Sequence, residues 1–359
     1  MSRSEDDTAR GGALWRVRPR AWIFAATALV ALDIALRIFG VPALPRDFRL
    51  PDRTLMGFDG FVAQMARSPR LRVACIGDSV MHGGGTSDPA GAIPAHLDDA
   101  YNLGMTGAHA NDMLPLVALL AHRKAADAVV IDFDYRFYRG ETVTDRYPDL
   151  YEKAAAEGAL DSVDETLARG HTRTLTTVER FDRAVASIWR LYAVRDHLTA
   201  WMFGERPKRA LNLLVRDLRA KAIGARVYNK RAPSALPYAE LRKAFDVRPF
   251  ADDNVDLRYL AATVRVATRA DIPIVVFAGP LDRAALDRER VVDWARYEEN
   301  LAFVRRLVEG EGGVFVDLTD AVPSELLMDT HHPMSEGNRV VAEALAKILA
   351  PLLRGGERP

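Results

Sequence analysis

Residues 71–79 read Leu-Arg-Val-Ala-Cys-Ile-Gly-Asp-Ser, and this stretch decides the fold. Its first seven residues form an apolar run that ends in glycine, too short for a buried helix and rich enough in branched side chains for a strand; two polar residues then stop it. The pattern repeats downstream. Tyr101–Leu103 is a shorter run of the same kind, followed by AVVIDFD (128–134), IPIVVFA (272–278) and GVFVDL (313–318). Helical spacing of apolar residues fills the gaps at about 109–123, 291–309 and 336–353. In the last of these, Val340, Val341, Ala344, Leu345, Ile348 and Leu352 share one face. Strands that alternate with helices predict an α/β fold, a three-layer α/β/α sandwich around a mostly parallel five-stranded sheet covered on both faces.

The stretch 140–250 breaks this rhythm. It holds no strand pattern, only helical spacing near 173–203 and 209–223, and is expected to be a helical insertion capping the C-terminal edge of the sheet. Within it, residues 206–231 carry nine basic side chains against one acid, Asp217, with an apolar stripe at Leu211, Leu214, Val215 and Leu218. That pattern reads first as a packed helix with a solvated basic face, and second as a surface for anionic glycan or lipid headgroups. The domain is expected to run from 71 to 353.

Upstream, residues 1–20 contain five arginines, and Ala21–Val41 reads AWIFAATALVALDIALRIFGV. As a helix this segment is about 31 Å long, a bilayer core's thickness. Asp33 and Arg37 interrupt it in its C-terminal half, where the penalty for charge is smaller and an arginine reaches the interface. Val41-Pro42-Ala43 is a poor cleavage site, so an uncleaved transmembrane signal-anchor is expected, with a basic cytoplasmic tail at 1–20 and the remainder outside the cytoplasm. Residues 42–70, with four prolines, read as a linker. Asp33 and Arg37 are four residues apart and share a helix face, which is expected to dock against a multi-span membrane acyltransferase.

Composition narrows the function. The 359 residues are 49% hydrophobic, with 49 basic and 49 acidic side chains and a single cysteine, Cys75. A large core is within reach, zero net charge argues against a nucleic-acid binder, and one thiol makes neither a disulfide nor a cysteine zinc site.

Ser79 directly follows a strand and opens a helix, where free backbone N–H groups and the helix dipole favour an oxyanion. Gly77-Asp78-Ser79-Val80-Met81 lacks the second glycine of the G-x-S-x-G elbow. Near the C-terminus, Asp329-Thr330-His331-His332-Pro333 precedes the last helix. A carboxylate three residues before His332 reaches its Nδ1 within one turn and leaves Nε2 for a serine; His331, two residues away, has the poorer reach. No further His or Cys cluster suggests a metal, and no cofactor is implied. His82-Gly83-Gly84-Gly85 lacks the Lys-Ser/Thr of a phosphate loop and reads as a tight loop beside Ser79. Asp127, Asp132 and Asp134 raise the alternative of paired carboxylates for glycoside cleavage, though without evident partners.

Strand–Gly-Asp-Ser (77–79), Asn-Leu-Gly-Met-Thr-Gly (102–107) and Asp-x-x-His-Pro (329–333) together resemble blocks I, II and V of the SGNH (GDSL-like) hydrolases, over roughly residues 71–138 and 270–353. The resemblance implies a flavodoxin-like sheet, Ser79 as nucleophile, Asp329 and His332 as its partners, and the N–H groups of Ser79 and Gly107 (Gly104 as the second choice) as oxyanion donors. The family's third motif supplies an asparagine. Here that place reads Asp132-Phe133-Asp134-Tyr135-Arg136-Phe137, and Tyr135 or Arg136 stands where the donor belongs. Membrane-anchored relatives of this layout act in polysaccharide O-acetylation and teichoic-acid D-alanylation. The expected function is therefore a membrane-anchored, extracytoplasmic serine esterase or O-acyltransferase acting on O-acyl, foremost O-acetyl, esters of a cell-envelope or exported glycan, with a multi-span membrane acyltransferase as its partner. The alternative is a non-catalytic glycan-binding or scaffold protein for such an acyltransferase.

Overall fold

The computed structural model of the chain describes residues 19–40, 42–43, 46, 55–68, 71–84, 86, 89–140, 147–170, 177–203, 242 and 245–354. Five strands form one sheet: β1 (Val73–Gly77), β2 (Ala100–Gly104), β3 (Ala128–Phe133), β4 (Ile274–Ala278) and β5 (Val314–Asp317). Their order is β2-β1-β3-β4-β5 and every neighbouring pair is parallel. The first four strands are buried throughout and the edge strand β5 is partly exposed, which explains why β1 and β4 are continuous apolar runs rather than alternations.

Helices cover both faces. The C-terminal helix (Ser335–Arg354) sets Val341, Ala342, Leu345 and Leu349 against Val73, Cys75, Val130, Val275 and Phe277 on one face. On the other, helix α4 (Ala110–His122) packs along Val255–Arg269, which also meets Trp294–Gly310. The winding direction of this 2-1-3-4-5 order reverses between β1 and β3, so a crevice opens beyond the C-terminal ends of those two strands. Ser79 follows one of them and Asp134 the other.

The structure corrects the expected organisation in several places. The apolar N-terminal helix, α1, runs Pro19–Phe39 rather than 21–41 and stops at Gly40, whose φ is +78°. Its window Ala21–Phe39 is long and apolar enough to cross a membrane. The expected linker 42–70 contains a helix, α2 (Leu55–Ala66), that buries Phe61, Val62 and Met65 and stacks Phe61 edge-on against Tyr101 at 5.9 Å. The flanking prolines, read as linker signals, here border a core helix. Helix Val255–Arg269, capped by Asn254 through the N–H groups of Asp256 and Leu257, went unread because it directly follows the irregular stretch.

The described residues of 140–250 divide between two compact units rather than forming one cap. Helices α5 (Pro148–Ala156) and α6 (Glu165–Ala168) belong with the sheet domain, whereas residues 177–202 group with the described residues of 1–42 as a separate compact unit. The expected helix at 209–223 and the basic stretch 206–231 lie outside the described residues.

Candidate active site

The Gly-Asp-Ser turn sits where β1 ends. Asp78 caps a single helical turn, α3 (Ser79–His82), by accepting the N–H of Val80 at 2.7 Å. Gly83 closes that turn in the left-handed conformation at φ +87°, and Gly84 N–H donates to Ser79 O at 2.6 Å. A β-carbon on Gly84 would stand 3.1 Å from His332 Cδ2 and 3.3 Å from Nε2. The tight loop read from the glycine run therefore packs against His332.

Ser79 Oγ lies 2.8 Å from His332 Nε2, and His332 Nδ1 lies 2.8 Å from Asp329 Oδ2. With Nδ1–H donating to the carboxylate, Nε2 is left to accept the serine proton. Asp329 Oδ1 also accepts the backbone N–H groups of His331 and His332 at 3.0 and 2.9 Å. The loop is pinned at its base: Leu327 and Pro333 bridge, Met328 N–H donates to His332 O at 2.8 Å, and Asn338 Nδ2 of the last helix donates to Gly91 O at 2.8 Å and Pro333 O at 3.3 Å. Burial works against a charge on Asp329, but the bond to His332 and the backbone N–H of His331 overcome it and hold the carboxyl below its usual range.

His331 is not placed to act as base. It is buried, its Nδ1 is 3.2 Å from Thr330 Oγ1, and burial, then the charges of Arg136 and His332, push it down to about 3. The ring stays neutral at ordinary pH. Asp329, His331 and His332 hold ligand atoms within 4.8 Å of one another; two of the three are already bonded in line with Ser79.

The place of the expected asparagine is rebuilt in acid. Parallel register sets Ile76 beside Ile131, so Asp132 comes opposite Gly77. Its carboxylate accepts the N–H of Asp78 at 2.9 and 3.2 Å and of Met81 at 3.1 Å. A β-carbon on residue 77 would fall 1.8 Å from Asp132 Oδ1, so only glycine fits there. Asp134 accepts Arg136 through two guanidinium nitrogens and the backbone; burial opposes its charge and Arg136 overcomes it, holding it low. Burial, then the field of Asp132, drives Asp78 well up, and burial raises Asp132 to about 6. Asp78, Asp132 and Asp134 thus cluster beside Ser79, where the sequence alone shows no partner for Asp132 or Asp134. Asp127 pairs with Arg72 at 2.7 Å, so none of the three aspartates weighed for glycoside cleavage stands free.

Of the four expected oxyanion donors, the structure removes one. Tyr135 O–H donates to Asp246 O at 2.8 Å and its ring stacks on Phe250, which spends its proton away from Ser79. Arg136 commits Nε and Nη2 to Asp134; among the described residues its Nη1 has no partner. The N–H groups of Ser79 and Gly107 likewise make no hydrogen bond among the described residues, and Gly107 takes φ +67°. Gly104 is tightly packed instead: a β-carbon there would lie 2.4 Å from His82 N. Beside Val80, a small cleft is lined by Tyr135, Arg136, Phe245, Tyr297 and His331.

Asp132 gives a pH test. Because its folded value lies above the ordinary 3.8, the folded state binds more protons between about 4 and 6, and its contribution to stability falls as pH rises through that window. Asp132→Asn is expected to flatten the decline relative to the parent by up to about 1.4 kcal/mol per pH unit in urea unfolding between pH 4 and 6. Parallel curves for the two proteins would show that Asp132 ionises normally.

No protein-family model and no curated protein matches the chain.

Proposed function

We propose that the chain is a serine esterase or O-acyltransferase of the SGNH type. The observation that carries this reading is the unbroken line Ser79 Oγ–His332 Nε2–His332 Nδ1–Asp329 Oδ2, with 2.8 Å at each hydrogen bond, beyond the carboxyl end of β1. Ser79 Oγ attacks the ester carbonyl carbon while its proton moves to His332 Nε2. Collapse breaks the acyl–oxygen bond, the leaving alkoxide takes that proton, and the acyl group stays on Ser79. A water or a sugar hydroxyl then gives its proton to His332 and accepts the acyl group; His332 returns the proton to Ser79. Asp329 orients the ring and offsets its positive charge. The N–H groups of Ser79 and Gly107 are the oxyanion donors, with Arg136 Nη1 in the asparagine's place.

The aromatic and charged lining of the neighbouring cleft supports a small acyl group on a polar substrate, an O-acetyl ester of an envelope or exported glycan, over a lipid. The apolar window of α1 supports a single-pass anchor, and the arginines of residues 1–20 support a cytoplasmic N-terminus with the sheet domain outside. As a transferase, the chain receives its acyl group from a multi-span membrane acyltransferase. The second reading, a non-catalytic glycan binder or scaffold, is favoured by the replacement of the asparagine by a guanidinium tied to Asp134.

Turnover separates these outcomes. The purified full chain in detergent is expected to release p-nitrophenol from the acetate ester much faster than from the octanoate, and to move acetyl to an added glycan if it is a transferase. Equal rates for both esters would remove the small-acyl reading, and no release above buffer for either would favour the scaffold.

A further inference from the structure

The compact unit that joins α1 to residues 177–202 holds a contact between α1 and a break in the helices beside it. Helix α7 (Thr177–Ile188) ends at Ile188, and a new turn, Arg190–Ala193, starts two residues later. Such a break exposes a carbonyl at the end of one helix and an N–H at the start of the next. α1 answers both. Arg37 Nη2 donates to Ile188 O at 2.5 Å, Asp33 Oδ1 accepts the N–H of Leu191 at 2.6 Å, and the two side chains pair at 2.7 Å. The cation meets a helix C-terminus and the anion a helix N-terminus, the favourable arrangement of each. The protein met by this charged face is thus the chain's own.

The contact sets a depth. Asp33 and Arg37 lie six and two residues before the end of α1 at Phe39, so α7 joins the helix within about 9 Å of that end. That is the depth at which amphipathic helices lie in the boundary between headgroups and acyl chains, roughly 5–10 Å. α7 has the matching surface. Val178, Phe181, Val185 and Ile188 recur at helical spacing on one side, and Val178, Phe181 and Ile188 are 77%, 68% and 77% exposed. Arg180 and Ser187 are exposed on the opposite side. Trp189, Trp201 and Met202 are also exposed, and tryptophan is enriched at the membrane interface.

We infer that α7 is a lipid-binding interfacial helix, lying on the bilayer with Val178, Phe181 and Ile188 among the acyl chains and held at that level by the Asp33–Arg37 clamp. The inference rests on reading α1 as a membrane span. Lipid is favoured over a protein occupant because the bare face belongs to the same compact unit as α1, whose own apolar side chains Trp22, Ile23, Phe24 and Val30 are equally bare.

The full chain, reconstituted in phosphatidylcholine–phosphatidylglycerol vesicles, tests this with an environment-sensitive fluorophore on the single variants Phe181→Cys, Ser187→Cys or Val30→Cys. The native Cys75 is buried and stays unlabelled. Brominated acyl chains are expected to quench the labels at 30 and 181 severalfold more than the label at 187. Quenching at 30 with equal, weak quenching at 181 and 187 would overturn the interfacial helix and leave the anchor standing. A blue-shifted but unquenched label at 181 would assign the face to protein and overturn the inference too. Absence of quenching at 30 would remove the span itself, and α7's membrane role with it.

Discussion

Ser79→Ala and His332→Ala are each expected to lower ester turnover about 10⁶-fold, and the double variant no further, because a nucleophile and its base act as one unit. Removing Ser79 Oγ leaves nothing to carry the acyl group; removing the imidazole leaves a hydroxyl with no acceptor for its proton at the point where the structure holds Nε2, 2.8 Å away. Folding should not be the cause. Both side chains are only partly buried and belong to a turn and a loop whose backbone bonds do not depend on them. Stopped assays with p-nitrophenyl acetate, alongside thermal unfolding, check this. Additive losses, or a retained fraction above a few per cent in either single variant, would mean that the two do not share a proton.

The next largest effect is expected at Asp329. Asp329→Asn keeps size and keeps an oxygen for the N–H groups of His331 and His332, yet it turns a proton donor toward Nδ1. His332 is then held in the tautomer with its proton on Nε2, facing Ser79. The equivalent change in a Ser-His-Asp triad costs about 10⁴-fold in kcat with the fold intact, and that drop is the expected result here. It should appear in kcat far more than in KM, because Asp329 touches the base and not the ester. A loss confined to KM would recast Asp329 as part of the binding surface.

The legible parts of the molecule were those that chain neighbours settle. Residues 71–79 announce a strand and the turn after it, and the three-residue spacing of Asp329 and His332 announces a carboxylate–imidazole pair, which the structure joins to Ser79 from 253 residues away. The acid trio was not legible, because the contact between Gly77 and Asp132 depends on β1 and β3 being neighbours in register, and strand order is a tertiary outcome. A reader who notes a glycine ending one strand and an aspartate near the end of another has the signal, but only once the order is known. Tyr135 shows the opposite error: position alone recommended it, whereas its hydroxyl turns to Asp246 because packing on Phe250 orients the ring. α2 was hidden by the prolines that bracket it. The division of residues 140–250 between two units was hidden because nothing local marks which helices accompany α1.

The most direct test of the central claim is covalent capture of the serine. The full chain is treated with a fluorophosphonate at neutral pH, digested and sequenced by mass spectrometry. The account predicts one phosphonylated residue, Ser79, labelled in the parent and lost in His332→Ala. An unmodified Ser79 peptide, under conditions that label a control esterase completely, would contradict it.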